Sequence, residues 1–357
     1  MLVLTQEDTE ALLDMPACLE ALEPVYSDLA DGGAGSIPRA DLVVGHRDGK
    51  GAVHGLKTMS GSVPRYQVAA VRIDSDVVHW PEEHGQRRRV KMPLAGGRWV
   101  GLVLLFDMAT GAPLAIFPDG YVQRMRVGAT NGLGTKHLAR ADARTMAVLG
   151  SGWQARGQVL AGCAVRPLER ITVFSPNPVH RGAFAREMAA QTGVPVDAMA
   201  SAEEAVVEAD IIACATNALG SVVDGGCLRP GLHVTSVRAQ EIAPEIYRRA
   251  DFVAVHTAVG EPQHVFVSRG EGVPDLEAGW RDPALAEFDW TAMPTLDALV
   301  TGRATGRHSD DDVTVFVNNM GTGLQFAAVG AALLQRAQQA GRGHELPDDW
   351  FTQTVPP

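Results

Sequence analysis

A chain of 357 residues has room for two domains and a sizeable core, and 46% hydrophobic with 20% charged residues is the balance of a globular protein. A formal net charge of −11 argues against nucleic acid and anionic membrane surfaces as partners. The four cysteines, Cys18, Cys163, Cys214 and Cys227, show no metal-ligand spacing. Reduced thiols, no bound metal and a cytoplasmic protein without signal or membrane-spanning segment are therefore expected.

In chain order, helices are predicted over 6–13 and 17–30, and strand-like sequence begins at Val43 with glycine interruptions. Segments 68–73 and 99–106 read as strands, and 107–111 as the turn of a hairpin into 113–117. Arg72 interrupts an apolar strand, so it must meet a polar cavity or a carboxylate; Asp74 and Asp76 are the partners of the purely structural alternative. Tracts 75–98 and 260–286 read as long loops, either lids or plain surface, with Arg87 to Arg89 as a solvated basic run. A helix over 121–138 leads into the next region.

There, Met146-Ala-Val-Leu149 runs into Gly150-x-Gly152-x-x-Ala155, with Trp153 and Gln154 in the turn, then a helix to 165 and a second strand at 170–174. A glycine-rich turn between strand and helix leaves backbone N–H groups free for a pyrophosphate, so this is a dinucleotide site. The second strand ends Phe174-Ser175-Pro176-Asn177, with His180 and Arg181 behind it and no carboxylate before Glu187. A hydroxyl and a guanidinium suit a 2′-phosphate, so NADP(H) is preferred, with NAD(H) the other possibility. The alternative is that Ser175 and Asn177 only make a turn. Further strands follow at 210–215, 232–237 and 251–256, which place Ala215, Thr216, Asn217 and Val237 at strand ends where ligands sit. The fold class is α/β: a Rossmann-type domain over 138–315, and a discontinuous α+β domain from 1–137 and 316–357, closed by a helix over 321–340.

Four stretches, Leu105 to Ala115, Gln123 to Thr130, Met146 to Ala155, and Thr314-Val-Phe316 before Asn318 and Gly321, resemble the ornithine cyclodeaminase/mu-crystallin family in order and spacing, over about 37–334. That family holds cyclodeaminases, imine reductases, amino-acid dehydrogenases and a binding protein of the lens. The resemblance implies a homodimer built through the N-terminal sheet, with a small carboxylate substrate between that sheet and the nicotinamide. It implies that Arg126 and Arg39 bind the substrate carboxylate. It aligns Arg72 with the active-site lysine, a departure that leaves Lys57 to supply the ammonium. Arg72, Lys57 and Arg126 are thus the catalytic candidates, and His54 is a second candidate acid in the substrate site. The cyclodeaminases carry an aspartate after the strand matching 232–237. This chain reads Val237-Arg238-Ala239-Gln240 there, which disfavours deaminative cyclisation. The expected activity is reduction of a cyclic ketimine or α-imino acid by NAD(P)H, or the reverse dehydrogenation; a cyclodeaminase and a non-catalytic binding protein are the alternatives.

Overall fold

The structure is a computed structural model and describes residues 1–46, 51–83, 86–258, 263–267 and 283–355. Two compact units emerge. The first holds residues 1–126, the segment Gln263–Val267 and the chain from 321 onward; the second holds 127–258 and the described chain from 283 to 320.

The first unit is built on a mainly antiparallel sheet. Its central order is Gln263–Val267, Ala40–Gly45, Val53–Val63, Val68–His79, Val100–Asp107, Pro113–Pro118, Leu2–Val3 and His344–Glu345. Along Val53–Val63 and Val68–His79 every second residue is buried, the signature of a sheet covered on one face. The cover is the helix Gly323–Ala340, almost wholly apolar where it meets these strands. It approaches to backbone contact: a Cβ on Gly61 would run into the backbone of Leu324, and one on Gly323 into that of Ser60. The Leu324 N–H donates to Ser36 Oγ at 2.7 Å and fixes the helix start. The opposite face carries Leu56, Val71, Ile73, Leu102 and Leu104, only partly covered, and Leu42, 39% exposed.

Local signals set the element ends. Thr5 and Asp8 form a reciprocal capping box before Gln6–Leu12. The second helix, Met15–Ala30, begins before the expected residue 17 because Asp14 caps it and Pro16 fits its first turn, where a missing N–H costs nothing. The 107–111 turn is held by Asp107 Oδ1, which accepts from the N–H groups of Ala109 and Thr110.

Two expected loops are corrected. Ser75 to His79 continues the Val68–His79 strand, Glu82–Glu83 pairs with Gln86–Arg87, and Val90–Met92 returns against Val77–His79. The polar Asp74 and Asp76 lie on the buried face of that strand, so a reading that equates buried with apolar stops too early. In 260–286, Gln263–Val267 is a strand parallel to Ala40–Val44, and Pro283–Leu285 is a short turn of helix; the rest of that tract lies outside the described residues.

The second unit is a seven-stranded parallel sheet in the order Val196–Ala198, Arg170–Phe174, Thr145–Leu149, Ile211–Cys214, His233–Ser236, Thr314–Val317, Phe252–Val255. Numbered by position in the chain this is 3-2-1-4-5-7-6, with the reversal of winding between Thr145–Leu149 and Ile211–Cys214. Three of its strands are buried along their whole length, as expected of a sheet covered on both faces. The expected domain boundaries shift for the same reason. Thr314–Val317 is an interior strand here, and the part of helix Asp119–Leu138 beyond Arg126 packs on this sheet, with Asn131 donating to Thr235 Oγ1 and Gly134 against the Phe316 ring.

Candidate active site

The second unit presents its candidate residues at the C-terminal ends of its strands. After Leu149 the chain turns at Gly150, whose φ of +114° is closed to other residues and where a Cβ would run into the Ala215 carbonyl oxygen. Gly152 caps the helix Trp153–Val165 without a side chain, has open space beside it, and no acidic residue occupies that helix's first turn. Ala155 is fully buried under it, while Trp153 is 43% exposed and Gln154 is half-buried. Glycines that leave room and a positive helix end without a side-chain cap are features an anionic pyrophosphate needs, so these residues fit a dinucleotide.

At the next strand end, Ser175 Oγ lies 2.8 Å from Ser151 Oγ, and Arg181 Nη1 donates to the Ser175 carbonyl at 2.5 Å with its guanidinium carbon 5.2 Å from the Phe174 ring centroid. Asn177 is the cap of helix Pro178–Thr192, its Oδ1 accepting from Val179 and His180 N–H, so its side chain is engaged in the turn. Across the switch, Ala215 N–H donates to Leu149 O and Val237 N–H to Cys214 O. Thr216 donates from both its backbone N–H, at 2.5 Å, and its hydroxyl, at 2.8 Å, to Glu241 Oε1. Asn217 is exposed.

The first unit carries a charged band on its buried sheet face. Register pairing sets His264, Asp41, Lys57, Asp74 and Gly101 in one row across five strands. Lys57 Nζ is 3.2 Å from Asp74 and 2.6 Å from Asp76, and Lys91 reaches Asp76 at 2.7 Å from the neighbouring hairpin. Burial dominates and holds the Lys57 pKa below the usual ammonium range, although Asp74 and Asp76 pull it up. Arg72 is 2% exposed and lies 2.6 Å from Asp119 and 3.1 Å from Asp74. Burial opposes its charge, but Asp119 and Asp74 more than compensate and keep it firmly protonated. Asp74 is itself desolvated, and Arg72, Lys57 and Lys91 outweigh that to hold it far below the carboxylate range.

Arg126 differs. It is 4% exposed, donates to the neutral amide of Gln325 at 2.9 Å, and lies over the Phe326 ring at 5.0 Å, the ring that Arg72 approaches at 5.8 Å. Burial first and the facing Arg72 charge second lower its pKa to about 9. Such a group gains from a bound anion.

Lys57, Arg72 and Arg126 thus lie in one unit among shared neighbours. Arg39 is nearby in sequence to the row, but its guanidinium fork is taken by a bidentate pair with the buried Asp41. His54 is not part of the band: it sits three residues from Lys57 on the same strand, hence on the other face, with Nε2 3.0 Å from Ser75 Oγ. The structural alternative for Arg72 is realised with Asp74, and its stronger partner, Asp119, was not anticipated. Asp41, Lys91, His264, Gln325 and Phe326 also went unread. Long-range pairing places them, and spacing carries no trace of it.

The family model for the ornithine cyclodeaminase/mu-crystallin family matches residues 1–336. The chain belongs to that family. Among curated members, the Delta(1)-pyrroline-2-carboxylate reductase of Bacillus cereus is 32% identical over 251 residues, covering 69% of this chain and 74% of that one. The alanine dehydrogenase of Archaeoglobus fulgidus is 25% identical over 360 residues, covering 97% and 98%. Among solved structures, the Thermococcus litoralis Delta(1)-pyrroline-2-carboxylate reductase in complex with NADH and L-proline matches with a TM-score of 0.79 at 27% identity, covering 97% of this chain and all of that one. In this family member no helix among the described residues is long and apolar enough to cross a membrane, and no group of three His, Cys, Asp or Glu could hold a metal ion.

Proposed function

We propose that this protein is an NAD(P)H-dependent reductase of a cyclic ketimine or α-imino acid, able to run in reverse as an amino-acid dehydrogenase. The observation that carries the reading is Arg126: a buried guanidinium, on a neutral amide and beside a second guanidinium, is a receptor for a small carboxylate. Similarity to reductases of a pyrroline carboxylate supports it.

When bound, the dinucleotide supplies the hydride, and Gly150, Gly152, Trp153, Gln154 and Ala155, with Ala215, Thr216, Asn217 and Val237, are the residues assigned to hold it. Ser175 and Arg181 are assigned to the ribose end; the lack of a carboxylate there favours NADP(H), with NAD(H) accepted. Arg126 binds the substrate carboxylate. Lys57 holds the proton that the imine nitrogen carries in the reduced product, and Asp74 and Asp76 keep that ammonium in place. Arg72, already neutralised by two aspartates, contributes field and order rather than a substrate contact. Arg39 supports the same end through Asp41.

The partly covered apolar face of Leu42, Leu56, Val71, Ile73, Leu102 and Leu104 is assigned to a second copy of the chain, making a homodimer. With four free thiols the cytoplasm is the proposed compartment.

Cyclodeamination is disfavoured, because after the strand His233–Ser236 the nearest carboxylate, Glu241, is fully buried and bound to Thr216. The test is to follow NADPH and NADH oxidation with Δ1-pyrroline-2-carboxylate, its six-membered homologue, and pyruvate with ammonia, and to assay ornithine for proline. Imine-dependent oxidation supports the reading. Proline from ornithine without net cofactor change, or tight cofactor binding with no turnover on any substrate, overturns it.

A further inference from the structure

The second unit buries one carboxylate that the proposed chemistry does not use. Glu241 has no exposed surface. It ends the short turn Ala239–Glu241, pinned by its own carbonyl accepting from Val222 N–H and by the Tyr247 hydroxyl donating to the Ala239 carbonyl at 2.8 Å. Its Oε1 accepts both donors of Thr216. Thr216 follows the strand Ile211–Cys214, and the turn that carries Glu241 follows the adjacent strand His233–Ser236. One side chain therefore ties two neighbouring strand ends beside the switch in winding. Thr216 Oγ1 passes the restraint on by accepting from Ala218 N–H. Meanwhile Glu241 Oε2 is buried without a hydrogen-bond partner among the described residues.

Burying a carboxylate with one oxygen unsatisfied costs stability, and an apolar residue of similar size would be cheaper. Burial raises the Glu241 pKa, and Arg238 with the Thr216 donors only partly offsets it; Cys214 and Tyr247 are the other titratable groups against it. A costly group that immobilises two loop ends serves their placement.

We propose that Glu241 is a positioning residue for the dinucleotide: by joining Thr216 to the turn Ala239–Glu241 it fixes the backbone against which the nicotinamide end is seated. This rests on the cofactor assignment above. The experiment compares wild type with Glu241→Ala, Glu241→Met, Glu241→Gln and Thr216→Val, measuring melting temperature, NADH and NADPH Kd by fluorescence, and kcat and KM for both the cofactor and the imine.

Glu241→Ala and Glu241→Met are expected to raise the cofactor Kd and KM at least tenfold and to lower kcat, with the imine KM within twofold of wild type. Glu241→Met does so without loss of melting temperature. Glu241→Gln, which keeps an acceptor toward Thr216, recovers to within threefold, and Thr216→Val shows a smaller form of the same split. A Met variant with wild-type cofactor Kd and kcat overturns the proposal, as does a defect confined to the imine KM or to melting temperature. If the wild-type protein binds neither NADH nor NADPH, the cofactor assignment itself fails, which the first titration distinguishes from failure of the Glu241 role.

Discussion

The Arg126 guanidinium carbon lies 5.0 Å from the centroid of the Phe326 ring, and Arg72 shares that ring at 5.8 Å. Two like charges thus approach one fully buried phenyl ring. Arg126→Lys loses the planar fork that grips a carboxylate. It is expected to raise the imine KM by roughly 10–100-fold, about 1.4–2.7 kcal/mol, with a smaller change in kcat. Equal losses in KM for substrates with and without the carboxylate would remove Arg126 from that role.

Lys57→Met is expected to lower kcat by about 10²–10⁴ if its ammonium supplies the proton. Burial lowers its pKa from 10.5, so the reduction rate falls as pH rises, with a midpoint below 10.5. Lys57→Arg should move that alkaline limb upward. A pH–rate profile unchanged in both variants would assign the proton elsewhere.

Asp119 and Arg72 form a buried ion pair at 2.6 Å. Removing the carboxylate leaves a desolvated guanidinium with Asp74 as its remaining partner, so Asp119→Ala should cost about 3 kcal/mol in urea unfolding, the low end for a broken buried pair. Arg72→Met should restore part of that loss in the double variant, because the charge that lost its stronger partner is gone. Additive losses would show that the two are not coupled.

His233 is buried and neutral, its Nδ1 2.9 Å from Thr314 Oγ1, and burial, then the charges of Arg307 and Arg166, lower its pKa to about 3. The unfolded chain binds a proton at this residue below 6.5 while the folded one does not. Stability is therefore complete above 6.5 and lost as pH falls toward 3, by about 2 kcal/mol between pH 7 and pH 5 from this group. Urea unfolding at both pH values, compared with His233→Gln, measures it; an identical pH dependence in the variant would refute the assignment.

Legibility followed the range of the interactions. The Gly150 to Ala155 turn, the 107–111 hairpin and the Asn177 cap are made by residues within a few positions of one another, and each is readable from order alone. The parity of a strand is also legible: His54 and Lys57 differ by an odd number, which sends them to opposite faces and separates His54 from the charged band. Asp119 could not be linked to Arg72, since 47 residues separate them and a hairpin must fold between. The strand 75–79 is hard to read because Asp76 takes one of its buried positions, and that burial makes sense only once Lys57 and Lys91 are beside it.

What the amino-acid order determined alone was the α/β class and the dinucleotide turn, because backbone conformation at glycines and hydrophobic period are local properties. What tertiary structure decided was which neighbours each charge meets. Arg72, Arg126 and Arg39 look equivalent as letters. Packing gives the first two aspartates, the second a neutral amide and an aromatic ring, and the third a bidentate carboxylate, and a buried guanidinium's readiness for a ligand depends on those neighbours.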